Sequence, residues 1–319
     1  MIGIVDFTNC PLSSRNLEYA GRAGEKRGII YNNELWFLKF PKNTIGMNRV
    51  TGLSYVTSPL SEYIGSHIYK ILGYDVHETL LGICNDGKRN KVVCACKDFI
   101  NDDKNELLIP YTALRNDTNP LIMDRNDDSF ASASNINEIE FQLENNTVLS
   151  KISEAKDRFW DVVLIDMLIN NNDRNEDNWG IIKFKKEESY KLSPIYDCGN
   201  SFYGKTSDER IADIMASEEK LKSSALNGIT AYEDDNEKRI SNSDIINYVK
   251  KNNPKSIDRV LKIVNEKIEE IKDFINDIPC QYDDVSIMTE IRKEYYLKTF
   301  EIRLEKLSNS FSIFKQTLF

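Results

Sequence analysis

The chain has 319 residues, 40% of them hydrophobic and 29% charged, with a formal net charge of -9. That length accommodates one large domain or two lobes, each with its own core. The acidic balance argues against a nucleic-acid-binding surface, and no stretch approaches the length needed to span a bilayer.

The N-terminal stretch "MIGIVDFTNCPLSSR" lacks the basic start and long apolar core of a secretory signal, so a cytoplasmic location is expected. Six cysteines in a chain this long do not make a disulfide framework, and no CxxC pair suggests a metal; reduced thiols are the expectation. Ten of the 14 glycines lie in residues 1–100. That part reads as short strands joined by tight turns: "RGIIYNN", "LWFLKF", "ETLLGIC" and "KVVCACKDF" are β-branched or aromatic runs, and "NDG" at 85–87 is a hairpin turn. One helix interrupts them, "SPLSEYIGSHIYKILG". Ser58 is placed as its N-cap, Pro59 at the first helical position and Gly73 as its stop, with Leu60, Ile64, Ile68, Ile71 and Leu72 as the apolar stripe. Residues 1–100 sum to a charge of +3, which suits a small anionic ligand better than a polymer.

Residues 101–150 carry three bases and ten acids with little periodicity, and read as a long connection with short helical pieces. From 151 the chain turns helical. "FWDVVLIDMLI" is apolar on almost every side, as a buried central helix should be. Ile257, Val260, Leu261, Val264, Ile268, Ile271 and Phe274 keep helical spacing after Pro254, and a final helix is predicted over 285–307. The plan is an α+β chain with two parts: a strand-rich N-terminal lobe over 1–100 and a mainly helical C-terminal lobe over 101–319.

The chemistry concentrates in "INNNDRNEDNWG", residues 169–180. A calcium loop starting at Asp173 needs Gly at its sixth position and Glu at its twelfth, where this chain has Asn178 and Phe184. Downstream, "GNSFYGKT", residues 199–206, satisfies the Walker A expression, with Lys205 as its lysine and "VVLID" ending at Asp166 as the magnesium strand. A P-loop must follow a buried strand and open a helix. The approach "KLSPIYDC" is a poor strand, and "VVLID" runs on into "MLI" as a helix would. A P-loop NTPase therefore stands as the second reading.

Phosphoryl transfer from ATP needs a carboxylate base, oxygens for magnesium, a cation on the phosphates and a flexible backbone cover. Asp173 precedes Asn178 by five residues, the spacing of a kinase catalytic Asp and its metal-binding Asn. "PIYDCGNS" then offers Asp197 beside Gly199, after a segment that alternates as a short hairpin. Taken alone, "DRNEDN" reads as a solvated turn; in this order, after a buried helix, the pieces read as a kinase site. Upstream, "AGRAGEKRG" is a Gly-rich basic turn containing Gly21, Gly24 and Lys26. Lys39 sits in apolar company within "LWFLKF", with Glu62 on the following helix as its partner. The end of "VVCACKDF", at Lys97, Asp98 and Phe99, offers backbone to adenine. His67 and His77 have no spacing for a metal or a triad, and no role is assigned to them.

"NDRNEDNWG", "LSPIYDCGNS", the "GRAGEK" turn before "LWFLKFP" and the "SE" opening a helix resemble the HipA-like serine/threonine kinases of bacteria, strongest over residues 159–204. The resemblance implies a bilobal protein-kinase-like fold, ATP and Mg2+ as cofactors, and phosphorylation of Ser or Thr on a protein, often the kinase itself. It implies Asp173 as catalytic Asp, Asn178 and Asp197 as metal ligands, and Lys39 as nucleotide lysine. The family usually has His two residues after the catalytic Asp, where this chain has Asn175. The resemblance also allows delivery outside the producing cell. A third reading, of a different class, is a non-catalytic pseudokinase that docks a partner.

Overall fold

The computed structural model describes residues 2–15, 26–41, 58–100, 104–116, 134–187 and 189–317, with side chains to 311. The backbone gathers into two compact units. One comprises Met1–Phe99, Cys198–Ala225 and Asn265–Ile302; the other comprises Ile100–Asp197, Leu226–Val264 and Arg303–Phe319.

In the first unit, β1 (Val5–Asp6), β2 (Lys26–Tyr31), β3 (Glu34–Lys39), β4 (Thr79–Asn85) and β5 (Asn90–Lys97) form a sheet in the order β1-β4-β5-β3-β2. β2 and β3 are antiparallel, as are β4 and β5, while β1 runs parallel to β4. "RGIIYNN" stops as a strand two residues early, because Asn32 and Asn33 take left-handed φ values of 51° and 63° and turn the hairpin. Asn tolerates that conformation better than other side-chain-bearing residues. The predicted "NDG" turn closes β4 onto β5, with Gly87 at φ 89°.

Strand alternation then divides the side chains. Trp36 and Leu38 of β3 enter a core with Phe7, Ile29, Phe40, Val93 and Ala95. Lys39 has the opposite phase. It meets the helix α1 (Ser58–Ile71), whose Leu60, Ile64 and Ile68 are buried. That helix is buried well beyond its apolar stripe, since Ser61, Glu62 and Ser66 are also covered. Gly65 is required by close approach: a Cβ there would lie 2.6 Å from Ser201 Oγ and 2.7 Å from Cys198 Cβ.

In the second unit the predicted central helix is α4 (Ala155–Ile169), buried on all sides from Phe159 to Ile169. Before it come β6 (Glu106–Pro110), α2 (Tyr111–Asn116), β7 (Ser134–Asn135) and α3 (Ile136–Asn145). The helical pieces agree with the sequence reading of 101–150, but β6 corrects it. "ELLIP" is too short to show a period, and Leu107 is 44% exposed. It becomes a strand by pairing with β8 (Gly180–Phe184), which continues as a hairpin into β9 (Ser189–Leu192). The partner lies about 70 residues downstream, so no local signal announces it.

After the hairpin, the first unit gains α5 (Asp208–Met215). Next come α6 (Glu218–Leu226), β10 (Ile229–Glu233), β11 (Arg239–Ser241) and α7 (Ile245–Asn252). β7, β10 and β11 make a small sheet in the order β11-β10-β7. α8 (Pro254–Asp277) starts at the predicted proline and buries Ile257, Val260, Val264 and Ile271. The expected final helix over 285–307 is shifted: β12 (Gln281–Tyr282) and β13 (Val285–Ser286) form a hairpin through Asp283 at φ 50°, and α9 runs over Glu290–Thr317. No described helix is long and apolar enough to cross a membrane.

Candidate active site

In the first unit, Lys39 is the last residue of β3 and its Nζ donates to Glu62 Oε2 at 2.7 Å. The Glu62 side chain is 0% exposed and that of Lys39 is 14% exposed. Burial pushes a carboxyl upward, but the Lys39 charge and the neighbouring His77 imidazole outweigh it and hold Glu62 well below the usual carboxylate range. A charge this deep is tolerated only when paired. The second oxygen, Oε1, lies 3.0 Å from Nε2 of the buried His77, which is also 3.1 Å from Ser66 Oγ. Cross-strand register places Lys26 opposite Lys39, and Lys26 Nζ lies 5.8 Å from the centroid of the Phe37 ring.

Lys97 closes β5, and Glu34 at 2.8 Å holds its ammonium charged, with Glu78 at 3.4 Å. The Lys97 N–H donates to Glu78 O and the Asp98 N–H to Leu35 O, both at 2.9 Å. The Asp98 carboxylate takes Arg15 Nη1 at 2.7 Å. These two N–H groups are therefore engaged within the sheet, and Phe99 follows them half-buried. Gly21 and Gly24 lie outside the described residues.

In the second unit, α4 ends at Asn170, whose left-handed φ of 53° and ψ of 41° turn the chain out into the polar loop. Asp173 is half-buried. Asn175 Nδ2 donates to Asp173 Oδ1 at 3.3 Å, and Asn178 Nδ2 donates to Asp173 O at 2.5 Å. The five-residue spacing thus folds into one compact turn.

Arg174, 2% exposed, is the hub of that turn. Its Nε and Nη2 grip the Asp166 carboxylate at 2.8 and 3.2 Å. Its Nη1 donates to Asn178 O at 3.2 Å and to Tyr196 O. One guanidinium therefore ties the central helix, the end of the loop and the residue before Asp197. Asp197 itself has φ 57°, a left-handed conformation costly outside glycine and concentrated at functional sites.

Two residues of α2 hold the loop's outer side. Thr112 Oγ1 donates to Asp177 Oδ1 and Arg115 Nη1 to Glu176 Oε1, each at 2.5 Å. Burial still pushes the Glu176 carboxyl up to about 7, against the pull of Arg115.

No protein-family profile matches the chain. It is 30% identical over 304 residues, 95% of this chain and 86% of the other, to the serine/threonine-protein kinase CtkA of Helicobacter pylori strain J99. This chain belongs to the CtkA family of serine/threonine protein kinases. The crystal structure of the Helicobacter pylori proinflammatory kinase CtkA superimposes with a TM-score of 0.80 at 27% identity, covering 99% of both chains. HipA of Shewanella oneidensis MR-1, solved with HipB and its operator DNA, shares the fold alone: the TM-score is 0.53 at 13% identity, over 91% of this chain and 65% of that one.

In a kinase, the Walker-like string needs another account, and the structure supplies it. Asp166 is no strand end; it is an interior residue of α4, clamped by Arg174 and by Asn171 Nδ2 at 3.0 Å. Residues 199–206 make a 3-10 turn, Ser201–Tyr203, with Phe202 and Tyr203 at φ 53° and 59°. Phe202 is fully buried and stacks on Tyr296 with centroids 4.9 Å apart. Aromatic packing fills the space that a phosphate nest would need, and Lys205 is exposed. The sequence reading assigned Asp166 only a P-loop role and left out its clamp Arg174 and the Glu62 neighbour His77. Arg174 carried a signal, being a lone cation within a run of Asn and Asp; His77 carried none.

Proposed function

We propose that this kinase transfers the γ-phosphoryl group of ATP, with magnesium, to Ser or Thr hydroxyls of a protein, its own included. The observation that carries the reading is the buried ion pair of Lys39 with Glu62. A cation at the end of an apolar strand, steered by a carboxylate that cannot reach water, is suited to neutralising phosphate oxygens. Lys26, opposite it on the next strand, adds a second positive charge on the same face.

Asp173 serves as the base that accepts the hydroxyl proton of the acceptor. Asn175 occupies one side of its carboxylate and keeps it oriented. Asn178 and Asp197 would hold magnesium, which offsets phosphate charge when bound. The donor set fits a hard cation: anchoring the Asn178 amide through Nδ2 leaves its Oδ1 as the ligand, and Asp197 adds a carboxylate. Since the Lys97 and Asp98 N–H groups are engaged, adenine at that strand end would use carbonyl oxygens or the chain beyond.

Two lysines test the reading. Lys39→Ala should nearly eliminate transfer from ATP to a generic Ser/Thr substrate and to the protein itself, with an unchanged circular dichroism spectrum. Lys205→Ala should keep most activity. The reverse pattern would favour the P-loop. If neither change matters and no ATP binds, a binding module replaces both.

A further inference from the structure

We infer that His77 is a positioning residue for phosphoryl transfer, holding the Glu62 carboxylate so that Lys39 presents its ammonium group in one orientation. This rests on the kinase reading above and adds to it a residue outside the Lys–Glu pair.

The terminal torsion of a glutamate is broad and roughly two-fold, so one bond to Lys39 does not fix the carboxylate plane. The second oxygen must be held as well. Among the described residues Glu62 Oε1 makes no aligned hydrogen bond, and the group set against it is His77, whose Nε2 lies 3.0 Å away. His77 is 3% exposed, and its Nε2 also meets the buried Ser66 hydroxyl at 3.1 Å. Ser66 stands four residues after Glu62 on α1, on the same helical face, so one helix sets both groups that His77 meets. His77 comes from the segment between α1 and β4, which fixes the ring against that helix. The chain of contacts therefore runs from Lys39 through Glu62 and His77 back to Ser66. Removing the imidazole leaves a buried, charged oxygen unmatched, and the carboxylate then turns to share both oxygens with Lys39.

The other histidine of the region plays a packing part. His67 stacks on Phe274 with centroids 5.1 Å apart and lies against Tyr63. Cys96 is nearer to the relay: its Sγ and the ligand atoms of Glu62 and His77 lie within 4.8 Å of one another. A Cys, His and Glu set suits zinc, so a resident metal is the competing account of the same residues.

The test is steady-state kinetics of His77→Leu and His77→Gln, with kcat expressed per nucleotide-binding site. His77→Leu should lower kcat roughly tenfold to a hundredfold, the range expected when a catalytic group is misplaced. Its KM for ATP should move by less than about threefold, since the loss falls on the transition state. His77→Gln, whose amide can donate in place of Nε2, should recover kcat to within about threefold of wild type. In a Lys39→Met background, His77→Leu should have no further effect, because His77 acts through Lys39. A merely structural role would lower the number of binding sites and leave kcat per site unchanged in both variants. Wild-type kcat in His77→Leu overturns the assignment, as does an undiminished effect in the Lys39→Met background. Loss of wild-type activity to a zinc chelator, restored by zinc, also overturns it in favour of a metal site. A wild-type protein that binds ATP but transfers no phosphate brings down the kinase reading itself, an outcome distinct from an active enzyme indifferent to His77.

Discussion

At the scale of residues, the polar loop shows why one short stretch needs so many asparagines. Four of the five, all but the exposed Asn172, do different jobs. Asn170 takes the left-handed turn at the end of the central helix, and its Oδ1 accepts from Asn242 Nδ2 at 2.8 Å. Asn171 bonds the Asp166 carboxylate, Asn175 bonds that of Asp173, and Asn178 bonds the Asp173 carbonyl. Asn175 stands where the resembling family usually has His, and its contact keeps a donor on Asp173 all the same. Asp173→Ala should therefore reduce transfer on the order of 100- to 10,000-fold while leaving ATP affinity nearly unchanged. Single-turnover transfer and analogue binding measure the two separately, and near-normal transfer would remove Asp173 from the mechanism.

At the scale of elements, the Arg174–Asp166 pair joins pieces that are otherwise only neighbours in sequence. Both side chains are buried, and Arg174 also takes the carbonyls of Asn178 and Tyr196. Arg174→Met leaves Asp166 as a buried charge without its cation, which should cost about 3–5 kcal/mol of stability. Asp166→Leu combined with Arg174→Met should recover much of that loss, because an apolar pair replaces an ionic one. Transfer should stay low in the double variant, since the guanidinium's bonds to the Asn178 and Tyr196 carbonyls are lost. The Tyr196 hydroxyl, which donates to Asp177 O at 2.9 Å, is then left to join the loop to the residue before Asp197. Chemical denaturation and a transfer assay together decide the matter: a double variant as active as wild type would show that the pair serves stability alone. The pair also explains the conspicuous "VVLID" string, whose Asp is a helical anchor.

At the scale of the whole molecule, two groups bend the dependence of stability on pH in opposite directions. Burial pulls the His67 imidazole down to about 4. Unfolded His67 takes up a proton below about 6.5 while the folded ring stays neutral, so stability is lost as pH falls from there toward 4. Glu176 is the mirror case, raised from 4.5 to about 7 mainly by burial. Across that window the folded state keeps a proton that the unfolded state has released, so stability is lost as pH rises. The difference between the two values corresponds to on the order of 3 kcal/mol. Glu176→Gln should remove this loss. Its melting temperature minus that of wild type should grow between about pH 5 and pH 8; two parallel curves would show that Glu176 does not titrate in this range.

What the sequence by itself determined were features with local causes. The runs "LWFLKF" and "KVVCACKDF" are strands because β-branched and aromatic residues suit a pleated surface, and "FWDVVLIDMLI" is a buried helix because it is apolar all round. The spacing from Asp173 to Asn178 was equally legible, since Asn175 and Asn178 both bond back to Asp173 within the turn. Tertiary structure alone decided the rest. Glu106–Pro110 is a strand only because Gly180–Phe184 lies beside it. Glu176 and Asp177 are anchored by Thr112 and Arg115, more than 60 positions away. His77 reads as an isolated histidine until α1 and β3 bring Glu62 and Lys39 to it. The physical reason is the same in each case. Hydrophobic period and turn chemistry are properties of a few consecutive residues, whereas the partner of a buried charge is set by which surfaces pack, and packing is a property of the whole chain.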